Sequence, residues 1–397
     1  MERPKEIGVG IDIGKHHHTT ILKDGEGNPL TGFFYLDDRR SSVERLEVEV
    51  RRVRETLGGG EIPVTVNLEA TGPYHIPLYC ALSPLFRVNL YQPRQARETS
   101  KKNVRRAKTD KRDCRTLALL HHHVESPTTH YDDPLLLGAR ELVRLSYTFQ
   151  DIRTNLTKRW TQEVFLAFPG LDTVVRPDTA TARRLLRAAP TPDLLAQMSP
   201  VEVARLLRSG GRGVRTTPTE ILAAATETLR APAHEAAAVY ALTPIRETVE
   251  FLDGQLERIR TELHAYWDQL RHDTVIHTFP SMGWLRALAL HAEFGGLRRF
   301  HSADAAVAFA GLENYVYQSE GKEVNGGMTK AGSPTIRRVL WELLACPSVV
   351  VPVITEQIDR MRARGKHRSK ALHAACKKTI RILWAMERDH SPYRRPS

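Results

Sequence analysis

The chain is expected to fold as an α/β domain, a helical coiled-coil spacer, and a second, mainly helical domain. Three observations carry that expectation. Strand-like and helix-like segments alternate over roughly the first 125 residues. Heptad-spaced apolar residues occupy 245–270, and the remainder returns to short helices around a glycine-rich stretch.

Taken in order, Ile7, Val9, Ile11 and Ile13 recur at period two, the mark of a half-buried strand. KDGEGNP (23–29) reads as a turn and TGFFYL (31–36) as a second strand returning from it. SSVERLEVEVRRVRETL (41–57) opens on a serine expected to cap a helix, carries helical spacing and stops at three glycines. IPVTVNLEA (62–70) and FRVNLY (86–91) read as strands on either side of a short helix over 73–82. A basic connector from Arg94 to Lys108 then leads into a helix from about Asp110 to Val124. The result is a mixed sheet with an early hairpin.

In the spacer, Ile245, Val249, Leu252, Leu256, Ile259, Leu263, Tyr266 and Leu270 alternate steps of four and three, which is a heptad seam. Leu142, Leu145, Phe149, Ile152 and Leu156 offer an upstream partner pattern. The two helices are expected to form an antiparallel arm or a contact between protomers; packing on a globular core is the plainer alternative. Residues 171–232 read as short helices broken by prolines, with SGGRGVR (209–215) as a basic loop. Beyond His277 come a helix and glycine turn (279–300), then helix, glycine-rich polar stretch and helix (302–345). One basic amphipathic helix (360–386) closes the chain. Domain limits are placed at 1–130, 131–275 and 276–397.

Lys and Arg number 58 against 46 Asp and Glu, a net charge of +12. With no apolar run of membrane length, that excess points to nucleic acid ahead of a membrane. LLACPSVVVPVI (343–354) is too short to span a bilayer and reads as buried core. Cys80, Cys114, Cys346 and Cys376 are scattered, and the N-terminus lacks an apolar signal core, so a cytoplasmic, nucleoid-associated location is expected.

The chemistry lies in the acids. Asp12 sits inside the first strand between isoleucines, where a carboxylate is costly unless a cation repays it. Glu69 ends a later strand, and Asp110 and Asp113, three apart, share one face of their helix. Two neighbouring strands with a helix laid across them would bring all four together. Such hard oxygen ligands suit Mg2+ or Mn2+, and a two-ion site can clamp the attacking and leaving oxygens of a phosphodiester. Lys101, Lys102, Arg105, Arg106 and Lys108, just before the D-x-x-D, are candidates for polyanion contact; a solvated charged face is the alternative.

The pattern G-I-D-I-G-K, then L-E-A-T-G, then K-T-D-K-R-D resembles the RuvC-like domain of DEDD insertion-sequence transposases. These are relatives of the Piv/MooV site-specific invertases, the IS-one-ten group. R-F-H-S-A-D-A-A-V-A-F-A-G-L, Q-S-E-G-K and T-K-A-G-S-P-T-I-R-R-V-L resemble that family's C-terminal transposase domain. The resemblance implies a RuvC/RNase H-like fold for the first domain and Mg2+ on Asp12, Glu69, Asp110 and Asp113. It also implies a serine nucleophile and a covalent serine–DNA intermediate. Ser319, in S-E-G where the family reads S-G-G, takes that role. Ser333, ahead of Pro334, is expected to cap a helix. DNA as partner, a structured guide RNA encoded by the element, and a dimer or tetramer follow from the same resemblance.

Lys330, Arg337 and Arg338 are candidates for phosphate contact, with a solvated face as the alternative, and the last basic helix is treated likewise. Histidines 16–18 and 121–123 cannot chelate as blocks, because consecutive residues point in different directions; one of each reaching the acid site is the alternative. A RuvC-like Holliday-junction nuclease using the acids alone is the alternative enzyme. A sugar- or acetate-kinase-like phosphotransferase would need a second D-x-G turn and an adenosine motif, which this sequence lacks. A non-catalytic nucleic-acid binder would tolerate loss of the acids.

Overall fold

The computed structural model describes residues 6–70, 72–91, 110–122, 133–208, 216–230, 232–319, 322–328, 332–346 and 351–394. Two compact units divide at Pro134.

In the first unit five strands, β1 (Ile7–Asp12), β2 (His18–Asp24), β3 (Phe34–Leu36), β4 (Val64–Glu69) and β5 (Arg87–Tyr91), form one sheet of order β3-β2-β1-β4-β5. β2 runs antiparallel to both β1 and β3, whereas β1, β4 and β5 are parallel. Period two sorts β1 cleanly. Ile7, Val9 and Ile11 are fully buried on one face with Val66 and Leu68 of β4, beneath Leu46, Val50 and Val53 of α1 (Arg40–Thr56) and Leu78 and Leu82 of α2 (Ile76–Leu82). The opposite face carries α3 (Asp110–Leu117), followed by a 3-10 turn at Leu120–His122.

The sheet has one strand more than the sequence pattern indicates. β2 begins HTT, with no apolar alternation, and is held by its ladder to the preceding strand β1, a pairing that the periodicity of β2 alone does not register. The expected serine cap of α1 is also absent: Arg39 occupies that position, and Ser42 Oγ donates instead to Asp37 Oδ1 at 2.7 Å.

The second unit is mainly helical. Its long helices α4 (Pro134–Ala167) and α9 (Pro232–Leu270) hold 34 and 39 residues, so each extends ~50–60 Å at 1.5 Å per residue. They run antiparallel. Ala139 and Val143 near the start of α4 share a core with Leu263, Trp267 and Leu270 at the end of α9. At the far end, Trp160 and Val164 pack with Ala238 and Leu242 among four short helices, α5 (Ala180–Ala188), α6 (Pro192–Ala196), α7 (Pro200–Arg208) and α8 (Pro218–Glu227). The prolines expected to break this region start its helices: Pro192 and Pro218 follow the caps Thr191 and Thr217.

The α9 seam is buried at Val249, Leu252, Leu263 and Leu270 and only half-buried at Ile245, Leu256, Ile259 and Tyr266. Leu145 and Ile152 of its expected mate remain 40% and 43% exposed. The reason is polar: α4 turns Ser146, Gln150 and Arg153 toward α9, Arg153 pairs with Asp253, and a cavity of about 400 Å3 lies between the helices.

α10 (Gly283–Phe294) ends at Gly295, which is left-handed at φ 61°. It is followed by α11 (Ala303–Phe309), a hairpin of β6 (Asn314–Ser319) and β7 (Lys322–Met328), α12 (Pro334–Ala345), α13 (Pro352–Ala363) and α14 (Arg368–Arg388). In place of one closing helix there are two, because Gly365 at φ 72° separates α13 from α14. Leu343, Leu344, Val351 and Ile354 are buried as expected; 347–350 lie outside the described residues. No helix among the described residues is long and apolar enough to cross a membrane.

Candidate active site

Gly8, Gly10 and Asp12 alternate along the α3 face of β1. A Cβ on Gly8 would stand 2.1 Å from the Ala118 carbonyl oxygen, and one on Gly10 the same distance from that of Cys114. Only glycine permits so close an approach. The single Cys114 S–H is shared between the carbonyls of Gly10 (3.0 Å) and Thr19 (3.1 Å), and burial pushes its thiol up so that it keeps the proton.

These contacts set the register of helix on strand. Ala118 lies over Gly8 and Cys114 over Gly10, so α3 runs opposite to β1. Four helical residues advance about 6 Å and two strand residues about 6.6 Å, so the next step brings the start of α3 level with Asp12. β1 and β4 pair in parallel through Ile11 and Leu68, which makes Asp12 and Glu69 the next neighbours on the same face. The backbone thus puts Asp12 and Glu69 at the carboxyl ends of two adjacent parallel strands, and Asp110 and Asp113 in the first turn of α3. The helix N-terminus also favours negative charge nearby. Beside them, Lys111 and Arg115 lie over the Phe33 ring at 5.6 and 5.0 Å. Lys101, Lys102, Arg105, Arg106 and Lys108 lie outside the described residues.

In the second unit Ser319 ends β6 and pairs with Lys322 at the start of β7, so it sits at a hairpin tip. A glycine-rich polar stretch was expected here; the alternating Tyr315, Val316 and Tyr317 were the available strand signal. The root of the hairpin is clamped. Arg337 Nη1 donates to the carbonyls of Ala310 (3.0 Å) and Gly332 (2.8 Å), and a Cβ on Gly332 would meet the Phe309 oxygen at 2.1 Å. Burial lowers the Arg337 pKa from its ordinary value.

Ser333 caps α12, accepting from Ile336 N at 3.3 Å, and donates to Glu293 Oε2 at 2.8 Å. Glu293 is buried and receives Arg144 Nε at 2.7 Å and Nη2 at 3.0 Å. Sequence reasoning missed this pair, although an acid inside the apolar run ALALHAEF was a signal. Arg338 donates to Asp151 and Glu342 and stacks on Tyr147 at 4.2 Å; Lys330 lies outside the described residues.

The histidines correct an expectation. Because residues 120–122 form a 3-10 turn, His121 and His122 do converge: their Nε2 atoms lie 2.9 and 2.6 Å from the same Glu6 oxygen.

A family model described as a transposase of the DEDD, IS110 type matches residues 9–169, and one described as "Transposase IS116/IS110/IS902 family" matches 273–353. Together they cover more than half of the chain, in that order. The "Insertion element IS900 uncharacterized 42 kDa protein" of Mycobacterium paratuberculosis is 26% identical over 405 residues, spanning 98% of this chain and 97% of that protein. The "Transposase for insertion sequence element IS1111A" of Coxiella burnetii (strain RSA 493 / Nine Mile phase I) is 27% identical over 127 residues, 30% of this chain and 34% of its own length.

Proposed function

Because the chain belongs to the IS110/IS116/IS902 family of insertion-sequence transposases, enzymes of DNA strand transfer, we propose that it breaks and rejoins strands through a covalent serine–DNA intermediate. In this reading Ser319 is the nucleophile, and Asp12, Glu69, Asp110 and Asp113 hold divalent metal in a RuvC/RNase H-like unit. The observation that carries it is the register of α3 on β1 and β4, which supports a convergence of the four acids. The strand order, with an antiparallel β1-β2-β3 meander continued by the parallel strands β4 and β5, supports the fold assignment.

The donor set fits the ion. All four groups are carboxylates, the hard oxygen ligands of Mg2+ or Mn2+, two on strand ends and two in the first turn of α3. Bound there, the metal supplies neutralisation of phosphate charge. The chain's own part is the exchange of esters. Ser319 Oγ attacks the phosphorus, its proton is lost, and an Oγ–P bond forms as one P–O bond to deoxyribose breaks. The freed sugar oxygen takes up a proton. Attack by another sugar hydroxyl then reverses the step, restores the serine and rejoins DNA without loss of bond energy. The acid end and Ser319 must meet on one phosphodiester, within a chain or between protomers of a dimer or tetramer. The +12 charge supports a polyanionic partner, DNA together with a structured guide RNA.

The alternative, a junction nuclease using only the acids, separates on one residue. Trapping the reaction on nicked DNA and sequencing the attached peptide should place the adduct on Ser319, and Ser319→Ala should remove both adduct and recombination. Ser333→Ala should keep both, at a cost of about 1–2 kcal/mol for a lost cap and a hydrogen bond. Cleavage by Ser319→Ala without any adduct would favour the nuclease, and an adduct on Ser333 would exchange the two serines.

A further inference from the structure

Behind α3, on the same sheet face as the acids but at the opposite strand ends, polar side chains form an unbroken chain of hydrogen bonds. Asn89 Nδ2 donates to Asn67 Oδ1 at 3.1 Å. Asn67 Nδ2 reaches the Ala118 carbonyl at 3.2 Å and His121 Nδ1 at 3.0 Å. His121 Nε2 and His122 Nε2 both reach Glu6 Oε1. Asn67 and Asn89 are buried, and His121 packs directly on Gly8.

Two histidines and a glutamate whose ligand atoms lie within 4.8 Å of one another invite a metal reading. The proton inventory argues against it. The Ala118 carbonyl only accepts and Asn89 Nδ2 only donates, so the Asn67 amide has its nitrogen toward Ala118 and His121. His121 Nδ1 therefore accepts, which leaves the proton on Nε2, the atom an ion would need. Ligation there would require turning the Asn67 amide and setting its oxygen against that of Ala118. The cluster is complete as a set of hydrogen bonds.

We infer that Glu6, His121 and Asn67 are positioning residues that fix the end of α3 on β1 and β4, and so the placement of Asp110 and Asp113 against Asp12 and Glu69. This role presupposes the acid site proposed above. α3 is only 8 residues long, and its inner face lies on two glycines, which offer no side chains to hold it. The Cys114 bonds and the packing of Leu117 on Tyr91 and of Ala118 on Ile21 hold the middle of this segment, and the anchor holds its far end; without it, carboxylate spacing would suffer first.

The test is Mn2+ binding to the full-length protein, monitored by loss of the free-ion electron paramagnetic resonance signal. Glu6→Ala and His121→Phe should each weaken Mn2+ by about 10-fold, the scale of groups that support ligands without touching the ion. Glu6→Gln keeps an acceptor oxygen and should restore binding, whereas Asp12→Asn should abolish it. Thermal melts identify a variant that has lost its fold, and Glu6, partly exposed and at the end of a strand, is the safer site. Wild-type Mn2+ binding by both anchor variants, with Asp12→Asn still inactive toward the ion, overturns the anchor and leaves the acid site standing. Undiminished binding by Asp12→Asn removes the acid site itself. Failure of Glu6→Gln to rescue, or Zn2+ bound stoichiometrically and lost in His121→Phe, also overturns the hydrogen-bonded assignment.

Discussion

At Gly10 a single methyl group decides whether α3 can lie on the sheet. The atoms it would meet, the Cys114 oxygen at 2.1 Å and the Ala118 nitrogen at 2.5 Å, are backbone and cannot swing aside. Gly10→Ala should therefore destabilise the first unit by about 1–3 kcal/mol through overpacking, and should weaken Mn2+ binding with it. Gly254 is the opposite case. It lies inside α9 with nothing within 4 Å of an added Cβ, so Gly254→Ala should stabilise by about 0.5–1 kcal/mol. Denaturant melts of the two variants check both signs. A neutral Gly10→Ala would mean that α3 does not press on β1 as described.

Among the elements, α4 is tied to the hairpin that carries Ser319 by one buried node. Arg144 on α4 grips Glu293 on α10, and Glu293 holds Ser333 at the head of α12, where the hairpin returns. The Glu293 side chain is 1% exposed and that of Arg144 45%. Removing the arginine strands a buried carboxylate, so Arg144→Met should cost about 2–3 kcal/mol, less than a fully buried pair because the arginine side chain is already about half exposed to water. Adding Glu293→Gln to that variant should recover part of the loss, since no charge remains to be compensated. A double-mutant cycle measures the coupling, and additive costs would show that the two do not act together.

At the scale of the whole molecule, charge dominates. With a net +12 and a basic connector before the D-x-x-D, nucleic-acid affinity should fall steeply with salt. Neutralising Lys101, Lys102, Arg105 and Arg106 should flatten the log–log slope by roughly one unit per lost phosphate contact, read from titrations at several salt concentrations. An unchanged slope would make that run an ordinary solvated surface. The division between sequence and structure is also plain at this scale. Sequence by itself determined what depends on local period and local chemistry. Ile7, Val9 and Ile11 alternate into a core face, Asp110 and Asp113 share a helix face, and Ser333 before Pro334 caps a helix. Each is a statement about residues within one or two turns of one another. The tertiary structure alone decided what depends on partners in other elements. β2 exists because β1 pairs with it, and Leu145 and Ile152 stay exposed because Asp253 draws Arg153 inward. His121 reaches Glu6, 115 positions away, because Gly8 and Gly10 let α3 lie flat on the sheet. Sequence periodicity carries the first kind of information because side-chain direction repeats along a helix or strand. It carries nothing of the second, which is written in backbone approach and proton placement between segments.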